Sequence, residues 1–278
     1  MPMGNLEGQV AFITGAARGQ GRAHAVRLAA EGADIIALDI CRNIESMDYP
    51  NARPDDLDQT VNLVEKQGRR IIARQADVRD ADAVQQVVDE GLREFSRLDI
   101  VIANAGIIRL SGGGDSTQVF RDIVDVNLVG VWNTVRAAIP ALIDGGRGGS
   151  IVLTSSTAGL KATGTDRAGA QAYTASKRGL VGLMQVWAND LAQYSIRVNT
   201  IHPTGVATGM VMNDTMAKLL AANDVALAAM QNALPIQILQ PEDIAAAVAW
   251  LVSDEAKFIT GVAWPSMQAS RFASRSQG

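Results

Sequence analysis

Val10-Ala11-Phe12-Ile13-Thr14-Gly15-Ala16-Ala17-Arg18-Gly19-Gln20-Gly21 is the stretch that decides the fold. The apolar run 10–13 reads as a buried strand, the glycines at 15, 19 and 21 as a tight turn, and residues 22–31 as the helix that follows. A turn of this kind lays backbone N–H groups and the positive end of a helix dipole against a pyrophosphate. Glycine is required where a side chain would block that approach. The next apolar run, 34–38, ends in Asp39, eighteen residues beyond Gly21. A carboxylate there can accept hydrogen bonds from a ribose 2′-hydroxyl and would repel a 2′-phosphate, which favours NAD over NADP by at least about tenfold. Arg18 points the other way, since a guanidinium in the turn can grip a 2′-phosphate.

Short β-rich runs alternate with helical patterns along the rest of the chain. Strands are expected at 9–14, 34–39, 70–75, 99–103, 150–155, 197–202 and 262–265, and helices at 20–31, 56–68, 81–95, 117–143, 172–193 and 241–253. This alternation predicts an α/β domain with a doubly wound parallel sheet of about seven strands and helices on both faces. Ligands of such sheets bind beyond the carboxyl ends of the strands. At 278 residues and 47% hydrophobic composition the chain can bury one large core, and a single domain over 1–278 is expected.

Tyr173 and Lys177 carry the chemistry. Four residues apart, they share one face of a helix, where an ammonium beside a phenol is expected to pull the phenol's pKa down toward neutrality. A serine at the end of the apolar run that starts at Ser150 can donate a hydrogen bond to a substrate oxygen.

Together these motifs resemble the short-chain dehydrogenases/reductases, from about Leu6 to Gly261. The resemblance implies a Rossmann fold, with Gly15, Ala17, Arg18, Gly19, Gln20 and Gly21 as the cofactor turn. Asp39 and Ile40 follow it at the ribose, Asp77 and Val78 at the adenine, and Asn104, Ala105 and Gly106 after the fourth strand. Pro203, Val206 and Thr208 are implied at the nicotinamide. Asn127, Ser156, Tyr173 and Lys177 match the catalytic set, Ser156 being preferred to Ser155 by the Thr157-Ala158-Gly159 that follows it. Tyr173 and Lys177 are also implied as cofactor contacts, and Asn127 as the holder of a water behind Lys177.

The connection 40–58 is long for a strand–helix link. With the glycine turn and Leu38-Asp39-Ile40-Cys41, it resembles the carveol-dehydrogenase-like, mycofactocin-coupled branch of that family. The branch implies an insertion that covers NAD and a separate redox carrier that takes its electrons. The Met- and Leu-rich segment 209–235 is implied as a substrate lid, so the expected substrate is an apolar secondary alcohol or ketone of terpenoid or lipid type. Two other readings stay open: an NADP-linked carbonyl reductase, and a regulator that binds NAD without turnover.

Other features bound the function. A net charge of −4 gives no nucleic-acid footprint, and the single cysteine, Cys41, cannot form an internal disulfide and suits a reducing cytoplasm. No signal peptide, membrane span or transition-metal cluster is expected. His24 and His202 are expected to pack, and Asp55 and Asp56 to form an acidic first helical turn. The family resemblance implies a homo-tetramer or dimer through helices 117–143 and 172–193. Thr204 in place of the usual glycine, the long 156–173 connection and the unusual sequence after Gly261 depart from the family pattern.

Overall fold

The computed structural model describes residues 5–114, 116–161, 165–222, 232 and 234–265. Among them lies one seven-stranded, wholly parallel sheet in the order β3-β2-β1-β4-β5-β6-β7. Its strands are β1 (Val10–Thr14), β2 (Asp34–Asp39), β3 (Ile71–Gln75), β4 (Ile100–Ala103), β5 (Gly149–Thr154), β6 (Ile196–His202) and β7 (Ala263–Pro265). The order reverses between β1 and β4, so a crevice opens there beyond their carboxyl ends. All seven strands fall within about two residues of their expected positions.

Strands β1, β2 and β4 are buried along their whole length, as a sheet covered on both faces requires. Alternate residues feed two cores. Phe12, Ile36, Val101, Ile151 and Val198 pack on one side, and Ile13, Ile35, Ile100, Val152 and Ile201 on the other. The first side is covered by α3 (Ala81–Phe95), α4 (Ser116–Val124), α5 (Gly130–Gly145) and α6 (Ala168–Asp190). The second is covered by α1 (Gly19–Ala30) and the last helix, α8 (Pro241–Val252), which pack on each other; α2 (Pro54–Glu65) lies beside α1.

The helix expected over 117–143 is broken. A π-helical turn at Asp125–Val129 joins α4 to α5 and widens the backbone around Asn127. The 30-residue run Ser116–Gly145 is long and apolar enough to cross a membrane by length and composition, yet 56% of its most apolar window is buried inside the protein. Asp56 closes the start of α2, accepting from the Arg53 N–H at 2.8 Å, as an acidic first turn predicts.

Segment 209–235 contains a helix that the sequence reading left unassigned, α7 (Asp214–Ala221). Asn213 caps it, its Oδ1 accepting from the Met216 N–H at 2.9 Å. Residues 223–231 and 233 of the expected lid, 162–164 of the 156–173 connection, and everything after Pro265 lie outside the described residues.

Candidate active site

The glycine turn follows from close approach. Gly15 has φ +67°, and a Cβ there would come 2.9 Å from Ala105 Cα. Any side chain at Gly21 would collide with the Gly15 carbonyl, so α1 can start against the turn only with glycine there. Thr14 Oγ1 accepts from the N–H groups of Asn104 and Ala105, both at 3.1 Å, and Asn104 Nδ2 donates to Thr14 O at 3.1 Å. These bonds sew β1 to β4 at the crevice floor.

Asp39 is buried at the end of β2. Its Oδ2 accepts from the Ala17 N–H at 3.0 Å and its Oδ1 from the Cys41 N–H at 3.2 Å. Burial pushes its carboxyl above the usual range, and the backbone N–H groups oppose that shift. Arg18 lines the same cavity as Asp39, and its Nη2 donates to the Pro50 carbonyl at 2.6 Å, fastening the glycine turn to the connection 40–58. Asp77, expected at the adenine, lies at the cavity edge, where Arg79 (2.7 Å) and Arg42 (3.3 Å) hold it. Burial works against its ionised form, but the Arg79 bonds win and keep its carboxyl below the usual value.

On the other side of the crevice, Ser155 and Ser156 separate by strand alternation. Both border the cavity, but Ser155 Oγ is buried and donates to the Lys177 carbonyl at 2.8 Å, pinning α6 to the end of β5, whereas Ser156 bonds Tyr173. Gly159 sits where a Cβ would come 2.7 Å from the Lys177 carbonyl. Burial pushes the Tyr173 phenol up, and a hydrogen bond from Ser156 opposes that rise. This differs from the expected depression by Lys177. The ammonium lies 5.6 Å from the Tyr173 ring centroid and donates to Thr154 O at 2.7 Å. Desolvation brings its own pKa down to about 7, so the lysine, rather than the tyrosine, is moved toward neutrality.

Asn127 has a structural part beside the expected one. Its side chain is fully buried and clasps the Ile107 backbone, accepting from N–H and donating to C=O, both at 2.8 Å. One lone pair and one amide hydrogen are used in this clasp. The clasp fixes the loop that carries Gly106, whose Cα faces both Lys177 Nζ and Asn127 Oδ1.

Two cavities meet here. One runs from Gly15, Asp39 and Ile40 past Asp77 and Val78 to Ala105 and Gly106. The other holds Ser156, Tyr173, Lys177, Pro203 and Val206. Gln20, Asn104, Gly106, Thr208 and Met210 line both, so a long ligand can thread from one into the other. Ala17 and Gly21, both expected contacts, are buried and line neither cavity, although the Ala17 N–H holds Asp39. Among the described residues no group of three or more His, Cys, Asp or Glu could hold a metal.

The family model for short chain dehydrogenase matches residues 9–219, more than half the chain. This protein belongs to the short-chain dehydrogenases. It is 55% identical over 94% of its length to an uncharacterized oxidoreductase of Mycobacterium tuberculosis, covering 95% of that protein. It is 44% identical over 95% of its length to (-)-trans-carveol dehydrogenase of Rhodococcus erythropolis, covering 97% of that protein. The crystal structure of carveol dehydrogenase from Mycobacterium avium in complex with NAD superposes with a TM-score of 0.87 at 46% identity, covering 94% of this chain and 97% of that one.

Two groups at the site of this short-chain dehydrogenase were not marked by the sequence. His202 is fully buried at the end of β6. Its Nδ1 lies 2.7 Å from the Ser156 carbonyl and its Nε2 2.8 Å from Thr200 Oγ1. A carbonyl only accepts, so Nδ1 carries the proton and Nε2 accepts from Thr200. Desolvation takes the His202 pKa to about 4, keeping the ring in that neutral form. The second is Tyr49 of the connection 40–58, whose hydroxyl accepts from the Ile108 N–H at 3.3 Å beside the turn cavity. No local motif marks either residue, because both partners are distant in the chain.

Proposed function

We propose that this chain oxidises an apolar secondary alcohol, or reduces the matching ketone, with NAD(H) as hydride partner. The cofactor is NAD. The observation that carries the reading is the joined pair of cavities, with a glycine-and-Asp39 cradle at one end and the Ser156–Tyr173 pair at the other. Glycine backbone at Gly15, Gly19 and Gly21 leaves room for a pyrophosphate, and Asp39 offers lone pairs to a ribose diol. Bound NAD supplies hydride acceptance and return at its nicotinamide ring.

The protein's own groups move the proton. Ser156 donates a hydrogen bond to the alcohol or ketone oxygen and holds it. Tyr173 takes the hydroxyl proton in oxidation and returns it in reduction. Lys177, desolvated and close to neutrality, can pass a proton at physiological pH and, when charged, favours the phenolate beside it. Asn127 keeps Gly106 and the floor beneath Lys177 in place.

Ile108, Leu110, Ala170, Val211 and Met216 support the apolar substrate, since they form one wall of the reaction cavity. Met216 comes from α7, which makes the segment 209–222 part of that wall and supports its reading as a lid. The connection 40–58 contributes Ile44, Tyr49, Asn51 and Ala52 to the turn cavity, which supports its reading as a cover for NAD; a separate electron carrier is what the resemblance to the carveol-dehydrogenase-like branch adds. Phe120, Val129 and Trp132 on α4–α5 and Val186 on α6 are exposed, which supports assembly with further copies through those helices; a homo-tetramer in the cytoplasm is the form we propose from the family resemblance.

The test is a screen of secondary alcohols of graded polarity, with NAD and separately with an artificial electron acceptor. Apolar cyclic alcohols are expected to turn over and small polar ones not to. Tyr173→Phe is expected to lose at least about a hundredfold in turnover with NAD affinity kept. Near-normal turnover of that variant would remove Tyr173 from the chemistry.

A further inference from the structure

Thr204 stands where the family pattern has glycine, half-buried at the border of the reaction cavity beside Pro203 and Val206. Its backbone is held from two directions. The Pro203 carbonyl accepts from the Thr157 N–H at 3.1 Å, which sets this segment alongside the residue that follows Ser156. The Gly205 carbonyl accepts from the Leu239 N–H at 3.0 Å, and the Ala207 N–H donates to the Leu239 carbonyl at 2.8 Å. A side chain added to this backbone therefore stands at the reacting end and has no easy retreat.

The side chain is fixed as well. Thr204 Oγ1 donates to Asn232 Oδ1, and Asn232 Nδ2 donates in turn to the carbonyls of Ile236 at 3.2 Å and Gln237 at 3.4 Å. Asn232 borders neither of the two joined cavities, so the hydroxyl is turned away from them. A hydroxyl has one proton to give, and this one is spent. Thr204 thus offers no second donor to compete with Ser156 for a substrate oxygen. Hydroxyl and methyl branch from the same carbon on a stiff χ1, so fixing one group fixes the other.

Resting on the alcohol and ketone reading above, we infer that Thr204 is a specificity-determining residue: with its hydroxyl tied to Asn232, it turns its methyl into the reaction cavity near Ser156 and limits the bulk a substrate carries next to the reacting carbon. Once Ser156 and Tyr173 hold the substrate oxygen, a large substituent on that side meets carbon that cannot give way.

The test is a series of secondary alcohols in which a cyclohexyl group is kept on one side of the carbinol and the other side grows from methyl to ethyl to isopropyl. Values of kcat/KM are measured with NAD and, separately, with an artificial electron acceptor. Wild type is expected to favour methyl over isopropyl. Thr204→Ser keeps the hydroxyl and removes the methyl, and is expected to raise the isopropyl-to-methyl ratio by about tenfold, as one methyl group in a pocket allows. Thr204→Val carries a methyl on both branches and no hydroxyl, and is expected to stay within about twofold of the wild-type ratio. Thermal melting of each variant separates a folding defect from a change of pocket shape. An unchanged ratio in Thr204→Ser, a Thr204→Val ratio that moves as far as that of Thr204→Ser, or a wild type indifferent to size overturns the inference while leaving the alcohol and ketone reading intact. A wild-type chain that turns over none of the alcohols with either acceptor overturns both.

Discussion

Replacing His202 with leucine keeps most of the side-chain volume at a fully buried site but removes both ring nitrogens. The Ser156 carbonyl loses its donor at 2.7 Å and the Thr200 hydroxyl its acceptor at 2.8 Å. A buried polar group left unpaired costs about 1–3 kcal/mol, so the pair predicts a loss of about 2–4 kcal/mol in unfolding free energy. The functional effect should be separable. Ser156 begins the bend after β5, and its carbonyl anchors the backbone from which its hydroxyl reaches the reaction cavity. Freeing that anchor is expected to lower kcat by about ten- to a hundredfold, part of the effect of removing an oxyanion donor outright, while NAD affinity stays within about threefold. His202→Gln, which can restore one of the two bonds, should recover part of both losses. The assays are urea unfolding, steady-state kinetics and NAD titration on the same preparations. A leucine variant with wild-type stability and wild-type kcat would refute the assignment of His202 as a positioning residue.

Three other outcomes are expected. His24 is fully buried on α1, neither ring nitrogen has a partner among the described residues, and desolvation lowers its pKa from 6.5 to about 4. Because the unfolded chain binds that proton below 6.5 and the folded chain does not, its share of stability is complete above pH 6.5 and is lost as pH falls toward 4. At pH 5 the loss is about 2 kcal/mol, so His24→Leu should unfold at distinctly higher urea than wild type at pH 5, with little difference at pH 7; equal midpoints at pH 5 would contradict this. Thr215→Val removes the bond from Thr215 Oγ1 on α7 to the Asp48 carbonyl at 3.1 Å and should speed NADH release about two- to tenfold in a chase experiment. An unaltered release rate would uncouple the two segments. Alcohol oxidation needs the phenolate of Tyr173, whose pKa burial raises, so kcat/KM should climb with pH from neutrality upward. A flat profile from pH 7 to 9 would exclude Tyr173 as the base.

Strand positions, the glycine turn and the Tyr173–Lys177 pair were legible because each depends on local periodicity or spacing. Asp39 was legible because a strand end next to a glycine turn has one neighbourhood. What stayed hidden depends on partners brought together by folding. Arg18 can grip a phosphate or a carbonyl, and only the placement of Pro50, thirty-two residues on, decides for the carbonyl. The effect of Lys177 on Tyr173 was overread because spacing reports proximity and is silent on burial, which here outweighs the charge. The clasp of Asn127 on the Ile107 backbone was hidden as well, since its partner lies twenty residues away. His202 read as packing for the same reason: Ser156, forty-six residues away, is invisible in its local sequence.

The Thr215–Asp48 bond ties the wall of the alcohol site to the strap beside the nucleotide, across 167 residues of chain. A door and a drawer that share one latch cannot be worked independently. Admitting bulky alcohols by loosening α7 would also loosen the grip on the dinucleotide, so selection for breadth of substrate and selection for a resident coenzyme pull this latch in opposite directions.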